Sequence, residues 1–288
     1  MTTTILVTGA SSGIGRDTAL ALAASGFHVI AAARRLAALE ALRDAAPAGA
    51  ITPLRLDLDD PASIAAAAAA IERLTGGRGV DAIVNNAGYA TAGALIDLSD
   101  ADLRAQFETN VFGLMALTRA LVPAMIARGR GRIVNVSSVS GRIPAPVLGA
   151  YHASKYALEA LSDALRMELA PLGIQVVIVE PGTIRTEFAA RTLAEAVRAR
   201  HPGSRYAAVY ERASAIEARF GALAGGTAPV VAAIRKALTR RRPSARYVAP
   251  RTFLLAIALV RLVPTCWYDA VMRRVFGLTR AQLGPGAS

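Results

Sequence analysis

The chain has 288 residues, 53% of them hydrophobic and 19% charged, which suits one large α/β domain and excludes a disordered chain. A single cysteine, Cys266, excludes an internal disulfide and fits a reducing compartment. The net charge of +12 is lodged late: residues 191–288 carry 17 Lys+Arg against four Asp+Glu, whereas residues 1–190 carry 16 against 17. These arginines are not interleaved with aromatics and accompany no nucleic-acid motif, so the expectation is a basic face that is solvated or meets a membrane surface or partner, not nucleic acid. The opening "MTTTILVTGASSG" lacks the basic start and long apolar run of a signal peptide, and no uncharged apolar stretch reaches the ~18–20 residues that span a bilayer. A cytoplasmic location is expected.

In chain order, short β-branched runs alternate with longer Ala/Leu-rich segments. Ile5-Leu6-Val7 precedes a helical stretch over 13–24, and Phe27–Ala33 precedes another over 36–45. Thr52–Leu56 leads into "PASIAAAAAAIERL", and "DAIVNNAG" into a helical region near 101–128. "GRIVNVSS" is followed by a loop and a helix carrying Tyr151, and "IQVVIVEPG" closes the series. Uninterrupted apolar strands imply burial on both faces, and the βαβα alternation predicts an α/β fold with a doubly wound, Rossmann-type parallel sheet and helices on both faces. Residues 183–226 are polar, arginine-rich and end in "GALAGGT", which predicts a helical lid with a glycine hinge inside a domain of residues 1–250. A helix over 228–239 and a short strand at Tyr247-Val248 follow. Residues 251–288 are then a helical extension, not an independent domain.

The first strand ends in "TGASSGIG", with Gly9, Gly13 and Gly15 leading into a helix. Strand, glycine-rich turn and helix N-terminus make an anion site, because backbone amides and the helix dipole both favour phosphate. Gly9 allows a tight turn, Gly13 close pyrophosphate approach, and Gly15 packing of the helix on the sheet. The second strand should end beside an adenosine ribose. An acid there would suit NAD, but the chain reads "VIAAARRL": Ala33 occupies that place and Arg34 follows, a donor for the ribose phosphate of NADP(H). Arg35 is the weaker candidate for assisting it.

Tyr151 and Lys155 stand four residues apart, about one helical turn, in a chain with 31 arginines and only two lysines. A cation beside a phenol favours phenolate and lowers its pKa. On these two residues alone, a solvated lysine beside a half-buried tyrosine with no shared role fits better. No His, Cys, Asp or Glu cluster has metal-ligand spacing: His28, His152 and His201 are scattered, and no metal is expected.

Taken together, "TGASSGIG" at 8–15, "DLD" at 57–59, "NNAG" at 85–88, Asn110, "NVSS" at 135–138, "YHASK" at 151–155 and "PGTIRT" at 181–186 resemble the short-chain dehydrogenases/reductases over residues 4–186. The resemblance implies a hydride transfer between nicotinamide and a carbonyl or secondary alcohol. Tyr151 would be the general acid in reduction and the base in oxidation, with Lys155 holding the nicotinamide ribose beside it. Ser138, rather than its rival Ser137, would bond the substrate oxygen, so Ser138 and Tyr151 would bind substrate. Asn110 would bend its helix and support a water relay to Lys155. Ser11, Ser12 and Ile14 would line the phosphates with the glycines; Asp57 and Leu58 the adenine; Asn86, Ala87 and Gly88 the adenosine ribose side; and Pro181, Gly182, Ile184 and Thr186 the carboxamide.

The resemblance leaves alternatives. A non-catalytic NADP-binding sensor would use the same fold, although such proteins usually lose the tyrosine or lysine. A fatty-acid-type 3-ketoacyl reductase would end soon after Tyr247-Val248, and a sugar epimerase or dehydratase would have another glycine spacing and a larger substrate lobe. The extra forty residues and the apolar loop "SGRIPAPVLGA", 140–150, fit an apolar ketone or alcohol. A homo-oligomer is expected. In the tail, "FLLAIALV", 253–260, is continuously apolar, and Trp267, Tyr268, Val271, Met272, Val275 and Phe276 fall on one helical stripe. Protein docking near the lid is the expected way to bury it, with peripheral contact to an anionic membrane as the alternative.

Overall fold

The chain's β-branched runs form seven strands in the computed structural model, which describes residues 2–185, 187, 188, 192, 203–212, 224–279 and 283. They are β1 (Thr4–Thr8), β2 (His28–Ala33), β3 (Ile51–Arg55), β4 (Ala82–Asn85), β5 (Gly131–Val136), β6 (Ile174–Pro181) and β7 (Arg246–Ala249). All pair in parallel, in the order β3-β2-β1-β4-β5-β6-β7. Pro53 cannot donate to a ladder, and it lies on the edge strand β3, where that costs little. This is the doubly wound sheet expected.

Alternate residues of each strand feed opposite cores. Ile5, Val7, Val29 and Val84 pack with Ala19 and Leu22 of α1 (Gly13–Ala24), Leu39 of α2 (Leu36–Asp44) and Ile234 of α8 (Ala228–Thr239). Leu6, Ile30, Ile83 and Ile133 pack with Ile64 of α3 (Pro61–Leu74) and with Leu117 and Met125 of α5 (Leu114–Ala127). Each fully buried aliphatic side chain stabilises the fold by roughly 1.5–3 kcal/mol.

The helical region near 101–128 is not one regular helix. A capping box, in which Ser99 Oγ accepts from Asp102 N at 3.1 Å and Asp102 Oδ2 accepts from Ser99 N at 3.2 Å, starts α4 (Asp100–Phe107). One wider π-helical turn, Glu108–Gly113, then joins α4 to α5 and carries Asn110. Gly113 is required there, since a Cβ on it would sit 2.0 Å from the Leu58 carbonyl oxygen. By length and composition the run Asp100–Ala127 could cross a bilayer, but it is half buried, with α5 packed into the core.

Helix α6 (Gly149–Leu169) carries Tyr151 and Lys155. Most of residues 183–226, the expected lid, lies outside the described residues. The two ends of that segment are joined: Arg185 N donates to Gly225 O at 3.0 Å and Gly225 N to Thr183 O at 3.2 Å. Within it, α7 (Ala207–Glu211) is anchored by Tyr210, whose hydroxyl donates to Asp97 at 2.7 Å and accepts from Ala94 N at 2.9 Å.

The tail forms α9 (Phe253–Leu262) and α10 (Thr265–Phe276). The Phe253 ring lies over Gly182, and the Tyr268 hydroxyl donates to Pro144 O. The predicted stripe on α10 divides. Phe276 is buried and Tyr268, Met272 and Val275 are half-buried, whereas Trp267 is 68% and Val271 55% exposed.

Candidate active site

The sheet's strand order reverses between β1 and β4, and the candidate residues gather at the C-terminal ends of these strands, of β5 and of β6. Gly9 and Gly13 have φ of 66° and 54°, the left-handed region that a side chain disfavours. Gly15 serves proximity: a Cβ there would lie 2.3 Å from Gly9 O and 2.5 Å from Asn86 Nδ2. Helix α1 therefore begins pressed against its own turn. Ser12 occupies the N-cap position, but its side chain makes no capping bond, so its hydroxyl and the first-turn amides are open to an anion. Ser11 and Ile14 are half-buried in the same turn.

Thr8, which the motif reading passed over, ties this loop to the next. Its Oγ1 accepts from the amides of Asn86 and Ala87, both at 3.0 Å, and Asn86 Nδ2 returns a 3.0 Å bond to Thr8 O. Beneath them Asn85 donates to Thr118 and Asn135, and Asn135 to Ser162, a buried ladder joining α5, β4, β5 and α6. Gly15→Ala should lower stability by roughly 1–3 kcal/mol through overpacking and weaken dinucleotide binding as well. Denaturant melts with and without NADPH read both; unchanged midpoints in both would refute the close approach.

Where the adenosine is expected, Arg34 is exposed just after Ala33 and makes no ion pair among the described residues. Arg35, at the start of α2, has Nη2 3.5 Å from Ser11 Oγ and 3.8 Å from Glu187. Of the two arginines, Arg35 is the one in contact with the glycine turn, through Ser11. Asp57 N donates to Ser63 Oγ at 2.9 Å, and Leu58 is buried against the π turn.

The four polar residues singled out for chemistry are all buried. Asn110 Oδ1 accepts from Tyr89 N at 3.1 Å, while its Nδ2 donates to Tyr89 O at 3.0 Å and Ser154 Oγ at 3.1 Å. A Cβ on Gly88 would meet Asn110 Oδ1 at 3.1 Å and Lys155 Nζ at 3.8 Å, so these groups share one small space. Lys155 Nζ donates to Val136 O at 3.0 Å and stands 5.9 Å from the centre of the Tyr151 ring. Ser138 Oγ accepts from Ser140 N at 3.0 Å and faces the Tyr151 hydroxyl. Ser137 instead sits with Glu159 and Gly141.

The expectation that the lysine lowers the tyrosine pKa is corrected here. Burial pushes the Tyr151 phenol up to about 12, only partly offset by Ser138, and burial pushes Lys155 down from 10.5 to about 8. With both groups desolvated, the cost of charge outweighs what Ser138 offers the phenolate and what Glu159 offers the ammonium.

Several neighbours carry no local sequence signal. The Phe188 ring, from the segment after β6, lies 5.6 Å from the Tyr151 ring. His152 is buried, with Nδ1 2.9 Å from Ser140 O and its ring edge-on to Tyr151, and burial lowers its pKa. Val147 has φ of 67°, a strained conformation for a β-branched residue, in the apolar loop before α6. Glu180, fully buried just before Pro181, accepts from Arg142 at 2.8 Å and lies 3.3 Å from Arg246 Nε, which also donates to Glu159 at 3.1 Å. Burial, reinforced by Glu180, raises the Glu159 carboxyl above its ordinary pKa. This cluster fastens the apolar loop, α6, β6 and β7 together behind the site.

On the last strand, Pro181 O lies 3.5 Å from Ser138 Oγ, Gly182 N donates to Ala249 O at 2.9 Å, and Ile184 is buried where the ends of residues 183–226 join. Thr186 lies outside the described residues. Among the described residues no group of three or more His, Cys, Asp and Glu side chains converges as a metal site.

A family profile described as short chain dehydrogenase matches residues 3–196. An uncharacterized oxidoreductase, YbbO, of Escherichia coli K12 is 39% identical over 275 residues, covering 95% of each chain. The solved short-chain dehydrogenase from Sphingobium yanoikuyae, in complex with NADPH, superposes with a TM-score of 0.69 at 28% identity, covering 96% of this chain and 94% of that one. A short chain dehydrogenase/reductase from Burkholderia phymatum, in complex with NAD, gives 0.76 at 25% identity over 90% and 92%.

Proposed function

The chain belongs to the short-chain dehydrogenase family of oxidoreductases, and on that premise we propose that it is an NADP(H)-dependent enzyme interconverting a carbonyl and a secondary alcohol, with an apolar substrate. The observation that carries this reading is the buried set of Ser138, Tyr151, Lys155 and Asn110, gathered near a glycine turn that opens helix α1. A nicotinamide dinucleotide, when bound, supplies or accepts the hydride. Gly9, Ser11, Ser12, Gly13, Ile14 and Gly15 would hold its pyrophosphate, and Asp57, Leu58, Asn86, Ala87 and Gly88 its adenosine.

Hydride addition to a carbonyl develops negative charge on oxygen, which calls for hydrogen-bond donors and a proton. Tyr151 remains a neutral phenol at physiological pH, since its pKa is raised to about 12, and so holds the proton that reduction needs. Ser138, beside it, would donate the second bond to the same oxygen. As that proton leaves, the Lys155 ammonium offsets the phenolate charge, and Asn110, locked by Tyr89 and Ser154, keeps the π turn and the path to Lys155 in place. Pro181, Gly182, Ile184 and Thr186 would border the carboxamide. Phe188, Ile143, Pro144 and Val147 would exclude water and favour apolar carbonyls.

Among nicotinamide cofactors, Arg34 supports NADP(H): no acid follows β2, and Arg34 is exposed directly after that strand, next in the chain to Arg35, which reaches Ser11 of the glycine turn. The similar Sphingobium protein was solved with NADPH, the Burkholderia one with NAD. Arg34→Ala should weaken NADPH binding about ten- to a hundredfold, in line with charge-assisted bonds of roughly 1.5–3 kcal/mol, and leave NADH nearly unchanged. Equal losses for both cofactors in a fluorescence titration would place the phosphate contact elsewhere. Activity is tested by NADPH consumption across a panel of apolar ketones and aldehydes.

A further inference from the structure

The tail helices dock with their inner faces, through Phe253 on Gly182, Ile257, Phe276 and Tyr268 on Pro144, and leave an apolar outer face uncovered. Leu255, Leu259 and Leu262 follow one another along α9 at 67%, 52% and 81% exposure. The seven residues from Arg261 to Trp267, which join α9 to α10, are all exposed, and Trp267 and Val271 continue the surface one turn apart. A globular chain gains nothing internally from this arrangement; exposed apolar surface of this kind marks a docking face.

Charge identifies the occupant. Between residues 251 and 279 the only charged side chains are Arg251, Arg261, Arg273, Arg274 and Asp269. Among the described residues none of the four arginines has an ion-pair partner. A second copy meeting this face about a twofold axis would bring like-charged rims together, four arginines and one aspartate on each side. An anionic phospholipid surface complements both the apolar tip and the rim. At ten residues α9 extends about 15 Å, too short to cross a bilayer, so such a helix lies in the interface, where tryptophan is favoured and arginines meet the headgroups. We propose that the outer face of α9 and α10 is a peripheral docking surface for anionic bilayers, with Leu262 and Trp267 entering the acyl boundary.

Trp267 is the only tryptophan in the chain, so its emission reports the contact directly. The full-length protein is titrated with phosphatidylcholine vesicles with and without phosphatidylglycerol, at low and high salt. The expected result is a blue shift and co-sedimentation with the phosphatidylglycerol vesicles only, reversed by salt. Leu262→Ser should weaken binding about tenfold, and Arg261→Gln or Arg273→Gln roughly fivefold each. All three positions are exposed, and unchanged NADPH affinity verifies that each variant is folded. An unshifted emission with phosphatidylglycerol vesicles would overturn the proposal, as would equal binding to both vesicle types. A lipid-free blue shift that grows with protein concentration, alongside a doubled mass, would overturn it in favour of a second copy of the chain.

Discussion

Tyr151→Phe should cut turnover about 10²–10⁴-fold, roughly 3–5 kcal/mol of transition-state stabilisation, while leaving the fold and NADPH affinity nearly intact. The substitution removes one oxygen and leaves the ring among its neighbours, Phe188 and His152, so packing barely changes. What disappears is the protonated phenol that burial holds up at about 12. The loss should appear in kcat and kcat/KM together, because the proton transfer belongs to the transition state and not to substrate binding. Activity within a few-fold of the parent would remove Tyr151 from the chemistry.

Lys155→Met should lower turnover at least a hundredfold and, in the ligand-free protein, raise stability at about pH 7. The buried ammonium titrates near 8 rather than at its ordinary 10.5, so between those values the unfolded chain holds more protons than the folded one. Stability of the parent therefore rises with pH through that window, and below it the folded state carries the full cost of a desolvated cation, roughly 3 kcal/mol. The bond from Lys155 Nζ to Val136 O offsets about 1 kcal/mol of it, which leaves a net gain of roughly 2 kcal/mol for the methionine variant. Denaturant melts at about pH 7 and about pH 9.5 check the sign: the advantage of the variant should shrink at the higher pH. A variant less stable than the parent at neutral pH would show that Lys155 supports the fold and is not held there at its expense.

The sheet was legible because its signal is local. Ile5-Leu6-Val7, "DAIVNNAG" and "IQVVIVEPG" are short, apolar and bounded by turn residues, and a parallel sheet covered on both faces needs such runs. The glycine turn was legible because Gly9, Gly13 and Gly15 follow a strand and open a helix, a context that few unrelated sequences meet. Asn110 was expected to bend its helix, but not that the bend would be a π turn, since nothing nearby shows that Gly113 must clear the Leu58 carbonyl. Long-range contacts had no local signature at all. Arg142, Glu159, Glu180 and Arg246 come from four separate segments, and only the fold brings them to one buried cluster.

The tyrosine–lysine pair shows the same limit in electrostatics. Spacing places the two on one turn, but the direction of each pKa depends on burial, which spacing does not report. Likewise the apolar stripe on α10 was visible as a pattern, while its division between Phe276 inside and Trp267 outside depends on where α9 and α10 dock.

The account's central claim is that this site transfers hydride to a carbonyl rather than merely holding a dinucleotide. The most direct measurement incubates the protein with NADPH deuterated at the nicotinamide C4 position and a panel of apolar ketones and aldehydes, then analyses the alcohols by mass spectrometry. The account predicts one deuterium at the carbinol carbon, from one face of the cofactor only, at a rate that Tyr151→Phe reduces about a hundredfold or more. Tight NADPH binding with no deuterium in any product would contradict it and leave a non-catalytic nucleotide sensor on the same fold.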